Sequence, residues 1–170
     1  RKIVVCLAVL FLQTFLFAGE VEKPMVVVIP AYQSKKWSGV NLKSIFDQKY
    51  TNYRVIYIDD ASLDGTKEKV VDLAQRFCSR SGRNYHDFSF DNSKKIDTKD
   101  LAGQFSAKIN QGAPFFSLVS NRKRSGTLAN IYRSVLSIKN DEIAVVVNGD
   151  DWLTDPLALQ KLNELYSLKG

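Results

Sequence analysis

Histidine and cysteine are nearly missing from this sequence, which holds one and two of them in 170 residues. Two thiols cannot build a disulfide framework or a thiolate metal site. His86 reads as part of a polar loop and is the single histidine of the sequence, which argues against a histidine-based triad or a zinc centre. Cys6 falls in an apolar run and Cys78 on a predicted helix, so both read as packing residues. A glycine-rich phosphate loop is missing too. Residues 30–35, PAYQSK, follow the first predicted strand and are neither GxGxxG nor a P-loop. That disfavours a dinucleotide enzyme or a P-loop ATPase. Nothing in the composition is collagen-like, coiled-coil-like or disordered.

What is present fits one domain with a buried core. The net charge of +6 reads as a solvated lysine-rich surface; it selects neither a membrane nor a phosphate ligand, and no nucleic-acid partner is expected. Residues 1–20 need separate handling. Arg1 and Lys2 precede an apolar run over 3–18, the pattern of a secretory signal peptide or N-terminal anchor, with membrane association or export as its consequence. The run is short of the about 20 residues that a spanning helix needs. A buried helix or strand of the fold is the other reading.

From Pro24 onward strand and helix patterns alternate. The apolar runs 25–29, 54–58, 115–119 and 143–147 read as strands. Helices are predicted over 39–48, from 64–66 onward, over 125–138 and after Asp155, which reads as an N-cap before Pro156. In the third of these, Leu128, Ile131, Tyr132 and Val135 are expected to face the core; in the last, Ala158, Leu162, Leu165 and Tyr166. Residues 79–112 are polar without a sustained period. They read as a long loop or an insertion, with a short helix near 100–109. The fold class is therefore α/β, a mostly parallel sheet flanked by helices.

Ligands of such sheets bind at the strands' C-terminal ends. Here those ends carry Pro30, Ala31 and Tyr32, then Asp59 and Asp60, then residues 120–124, then Asn148, Gly149, Asp150 and Asp151. Adjacent carboxylates leaving a buried strand repel each other, and a hard cation shared with phosphate oxygens removes that cost. The same tetrapeptide also reads as a turn whose Asp side chains cap the next helix. Asp59 and Asp60 repeat the choice: acceptors for ribose hydroxyls or a base N–H, or members of a turn. Arg124 closes a basic run that answers either a diphosphate or solvent.

These blocks, in this order, resemble glycosyltransferases of family 2. Residues 26–32 (VVVIPAY) resemble that family's first strand and nucleotide loop, and 45–53 the helix and turn after it. Residues 55–66 (VIYIDDASLDGT) resemble its second strand and acidic turn, 124–130 its basic segment, and 147–156 its DxD region. The resemblance covers about 24–168 and implies a GT-A, Rossmann-like fold, with residues 24–170 a nucleotide-sugar-binding domain that stops before the acceptor half. It implies metal-assisted transfer of a sugar from a UDP- or GDP-sugar donor to a glycan, lipid or protein hydroxyl. Pro30, Ala31 and Tyr32 would line the base pocket, with Asp60, and after it Asp59, on base or ribose. Arg124 would lie near the base or diphosphate, Asp150 would hold Mn²⁺ or Mg²⁺, and Asp151 would support it or face the sugar. Asn148 stands where the family has the first Asp of DxD, and it brings no charge to a metal. No candidate general base is found, so the catalytic residues stay open. A non-catalytic module that binds nucleotide sugar or a partner protein is the competing reading, and a nucleotidyltransferase a third.

Overall fold

The structure, a computed structural model, describes residues 21–93 and 98–168. Five strands form one parallel sheet: β1 (Met25–Ala31), β2 (Tyr53–Asp59), β3 (Tyr85–Phe90), β4 (Phe116–Asn121) and β5 (Ile143–Val146), in the order β3-β4-β2-β1-β5. Five helices flank it: α1 (Ser38–Phe46), α2 (Thr66–Ser81), α3 (Thr98–Ile109), α4 (Thr127–Val135) and α5 (Ala158–Ser167).

β1 shows why the sequence folds this way. Every residue of it is buried. Met25, Val27 and Ile29 enter one core with Leu42, Ile45, Val70, Ala74 and Leu159. Val26 and Val28 enter the other, with Phe105 and Ile109. A strand covered on both faces has no solvent side, so its sequence is a continuous apolar run rather than an alternation. Each such side chain contributes about 1.5–3 kcal/mol on burial.

The chain moves outward from β1 to β2 to β3 through α1 and α2, which serve the first core. It returns through α3, which serves the second, and α4, which packs on β1 and α3. Direction and face change together, as right-handed crossovers require. β1 thus has β2 on one side and β5 on the other, and the loops leaving β1 and β5 both lead to helices that cover the first core.

The fold corrects several expectations. Residues 79–112 are no long loop: they contain β3 and α3, and His86 lies on the strand. β3 sits at the sheet edge and is only partly covered, so it carries the polar alternation of a half-solvated strand. α4 presents the opposite face from the expected one. Asn130, Arg133 and Ser134 are buried, whereas Leu128 is 80% and Tyr132 55% exposed and Val135 is exposed as well. The cause is a polar demand at the strand ends, set out below. In α5, Leu159 and Asn163 face inward with Leu162 beside them, while Leu165 and Tyr166 face out. Asp155 accepts from the Leu157 N–H at 2.8 Å, but the helix itself begins at Ala158. The signal or anchor expected over 1–20, Cys6 included, lies outside the described residues. Among the described residues, no helix is long and apolar enough to cross a membrane.

Candidate functional site

The loops after β1, β2, β4 and β5 meet at one edge of the sheet, tied by hydrogen bonds that link different elements. The Asp60 N–H donates to the Ala31 carbonyl at 2.9 Å, and the Gly149 N–H to the Pro30 carbonyl at 3.0 Å. The Ser34 N–H donates to Thr66 Oγ1 at 2.9 Å and the Lys35 N–H to Asp64 at 3.1 Å. Asn41 Nδ2 on α1 donates to the Asn148 and Asp151 carbonyls at 3.0 and 2.8 Å. Sequence reasoning missed Asp64, Thr66 and Asn41 as parts of this edge. The Asp-Gly-Thr turn is the one signal for the first two, and Asn41 has none.

Gly149 is there because nothing larger fits. A Cβ on it would stand 2.5 Å from Ala31 Cβ and 3.0 Å from both Ala31 Cα and Ser34 Oγ. Its φ is ordinary, so close approach rather than turn geometry selects glycine.

The two acidic residues after β2 divide their work. Asp60 is buried, and its carboxylate accepts from Asn121 Nδ2 at 2.7 Å, the Ser125 N–H at 2.9 Å and the Gly126 N–H at 2.7 Å. Burial alone would raise its pKa, but the donors from Asn121, Ser125 and Gly126 outweigh it and hold the carboxyl below its ordinary range. Asn121 also donates to Asn130, which accepts from Arg133 at 2.5 Å. This buried network is what α4 turns its polar face toward. Its sequence signal is the polar stripe Asn130, Arg133, Ser134, Ser137, at spacings of three, one and three. Burial depresses the Arg133 pKa, and the Asp60 charge opposes that.

Asp59 is the freer of the two. One oxygen receives only a long 3.4 Å bond from the Ser62 N–H, and the other is buried with no partner among the described residues. Burial raises its pKa, against the Ser62 hydrogen bonds, and the charges of Asp64 and Glu68 add to the rise.

A cavity of about 300 Å³ opens between the β1 and β5 loops, lined by Pro30, Tyr32, Ser34, Thr127, Asn148 and Asp150. The Arg124 guanidinium lies 3.8 Å from the Tyr32 ring centroid. Asn148 Nδ2 donates to Asp151 at 3.1 Å. Asp150 is exposed and forms no hydrogen bond or ion pair among the described residues. The structure thus brings Tyr32 and Arg124 together and lines one cavity with Pro30, Tyr32, Asn148 and Asp150. Asp59 and Asp60 do not line it, and Asp60 accepts from three donors of the protein itself. A larger cavity of about 700 Å³ at the opposite sheet edge is lined without any carboxylate. Among the described residues, no three His, Cys, Asp or Glu side chains converge on a metal-sized site. One or two carboxylates are what a Mg²⁺-type ion needs when it arrives with phosphates, and the unpaired Asp150 carboxylate in the cavity fits as one of them.

The family described as Glycosyl transferase family 2 matches residues 26–89, which run from β1 through β3. S. aureus TarS 1–349 in complex with UDP superposes with a TM-score of 0.55 at 15% identity, covering 85% of this chain and 32% of that one. TarS 1–349 in complex with UDP-GlcNAc gives 0.55 at 15% identity, covering 85% and 31%. The mannosyltransferase PcManGT from Pyrobaculum calidifontis, in complex with GDP-Man and Mn²⁺, gives 0.56 at 16% identity, covering 94% and 39%. Residues 26–89 resemble that family, and the likeness to these solved structures shows a GT-A fold. No curated protein matches the chain. The chain spans about a third of the length of the TarS 1–349 chains.

Proposed function

We propose that the cleft between the β1 and β5 loops holds a nucleotide-sugar donor, and that this GT-A domain is the donor-binding part of a glycosyltransferase. One observation carries the reading: the unpaired Asp150 carboxylate shares a cavity with Tyr32, on which Arg124 is stacked. The uridine and guanosine nucleotides bound to TarS and PcManGT support a UDP- or GDP-sugar, and the Mn²⁺ of PcManGT supports a divalent cation.

Each residue has its part in this reading. Tyr32 offers a ring against the base, and Pro30 and Ala31 form the floor that Gly149 closes. The free oxygen of Asp59 accepts from a base N–H or a ribose hydroxyl. Asp60 positions Ser125 and Gly126, and through them Arg124, whose guanidinium meets the diphosphate. Asp150, supported by Asp151, would hold Mn²⁺ or Mg²⁺, which supplies charge stabilisation to a departing diphosphate. The acceptor is a glycan, lipid or protein hydroxyl, and residues 3–18 make membrane association or export part of the same proposal.

Donor binding without transfer is the second reading. The Asn148 amide favours it, because it adds no charge to the metal position and is turned to Asp151. Thermal melting tests the shared claim. With donor at about 100 times its dissociation constant plus Mn²⁺, the melting temperature should rise by about 5 °C or more. Asp150→Ala should remove the Mn²⁺-dependent part. No rise with UDP- or GDP-sugars would overturn the donor site. Release of nucleoside diphosphate on adding acceptor separates transfer from binding alone.

A further inference from the structure

The chain's only two tryptophans stand together beside this site. Trp37 and Trp152 are stacked, with centroids 6.1 Å apart and rings 25° from parallel. They remain 37% and 45% exposed. Large aromatic rings left in water ask for a ligand more than scattered aliphatic side chains do. Lys36 caps Trp37, its Nζ 4.6 Å from the ring centroid, so Trp37 serves as backing and Trp152 as the working surface.

Trp152 borders a groove of about 380 Å³ between α1 and residues 152–156, which Lys43, Ser44, Asp47 and Thr154 also line. Both walls are held still. The Asn41 amide grips the loop carbonyls of Asn148 and Asp151, and the Leu153 N–H donates to Ser44 Oγ at 3.0 Å. The groove and the donor cleft share no lining residue, but they are close along the chain: Trp152 follows Asp150 by two residues and Trp37 follows Ser34 by three.

An aromatic face with a hydroxyl and charged rim matches one ligand chemistry well. A pyranose ring offers an apolar C–H face to stack and equatorial hydroxyls for the rim. We propose that the Trp37–Trp152 platform and its groove form a carbohydrate subsite that receives a sugar ring of a glycan acceptor next to the donor cleft. The proposal deepens the donor-site reading and rests on it for the word acceptor.

Tryptophan emission of the full chain reports on this platform alone. It should shift saturably with at least one of chitotetraose, cellotetraose, maltotetraose or mannotetraose. Calorimetry should show that Trp152→Ala weakens that binding by about tenfold or more. Trp152→Phe should restore most of it, and UDP or GDP binding should survive both changes. Nucleotide binding with no response to any oligosaccharide would overturn the platform and leave the donor site standing. Oligosaccharide binding without nucleotide binding would do the reverse. Failure of both in a folded chain would overturn both. Emission moved only by nucleotide, or only by protein concentration, would also overturn the proposal, assigning the rings to the base or to a second copy.

Discussion

Gly149 is the residue on which the β5 loop closes. An alanine there must push against Ala31, whose Cβ would be 2.5 Å away, and overpacking of that kind costs about 1–3 kcal/mol. Gly149→Ala should lower stability by that amount in denaturant melts and weaken nucleotide binding. Ala31→Gly in the same chain should recover part of the loss, because it removes the nearer obstacle. Asp60 makes a second prediction. Asp60→Asn keeps the shape but turns an amide toward the Ser125 or Gly126 N–H and leaves Arg133 without its balancing charge, a cost of about 3 kcal/mol. The folded pKa of Asp60 is lowered, so its stabilisation is full above the unfolded carboxylate value of about 3.9 and fades as pH falls through the lower folded value. The stability gap between wild type and Asp60→Asn should therefore hold at neutral pH and narrow below about pH 4. Equal gaps at pH 7 and pH 2.5 would contradict the role given to Asp60.

At the scale of elements, α4 tests which face is which. Its apolar stripe is exposed and its polar stripe buried. Leu128→Lys should change stability by no more than about 0.5 kcal/mol, as surface changes do. Ser134→Leu, on the buried face, should cost about 1–3 kcal/mol by overpacking. The reverse order would restore the face that periodicity alone suggests. The reason that periodicity misleads here is physical. Apolar spacing reports the face that meets apolar surroundings, whereas α4 lies where Asp60 and Asn121 need hydrogen-bond partners. β3 escapes notice for a related reason: at the edge, with Tyr85 to Phe90 only partly covered, it lacks the apolar run that announces β1 and β2. The helix near 100–109 is legible, because Phe105 and Ile109 sit one turn apart and both reach the core.

For the molecule as a whole, the parallel α/β architecture and the edge that carries the site are both legible. Strands buried on both faces write themselves as apolar runs, and the turns that follow them write themselves in Asp, Asn and Gly. Less legible is the division of labour at that edge. The sequence presents Asp59 and Asp60 as equivalent neighbours, whereas the Asp60 carboxylate accepts from three donors and one buried Asp59 oxygen from none among the described residues. Only the positions of Ser125, Gly126 and Asn121 reveal that difference. The Trp37–Trp152 pair also needs the fold, since it joins residues 115 positions apart.

Calorimetric titration of the chain with UDP and GDP, with and without Mn²⁺, tests the donor cleft most directly. Saturable binding of at least one nucleotide is expected, tighter with Mn²⁺. Asp150→Ala should lose the Mn²⁺ enhancement, and Arg124→Ala should weaken binding by about tenfold even without metal. A folded chain that takes up neither nucleotide, or one whose binding is indifferent to both Asp150 and Arg124, would contradict the placement of a nucleotide-sugar donor between β1 and β5.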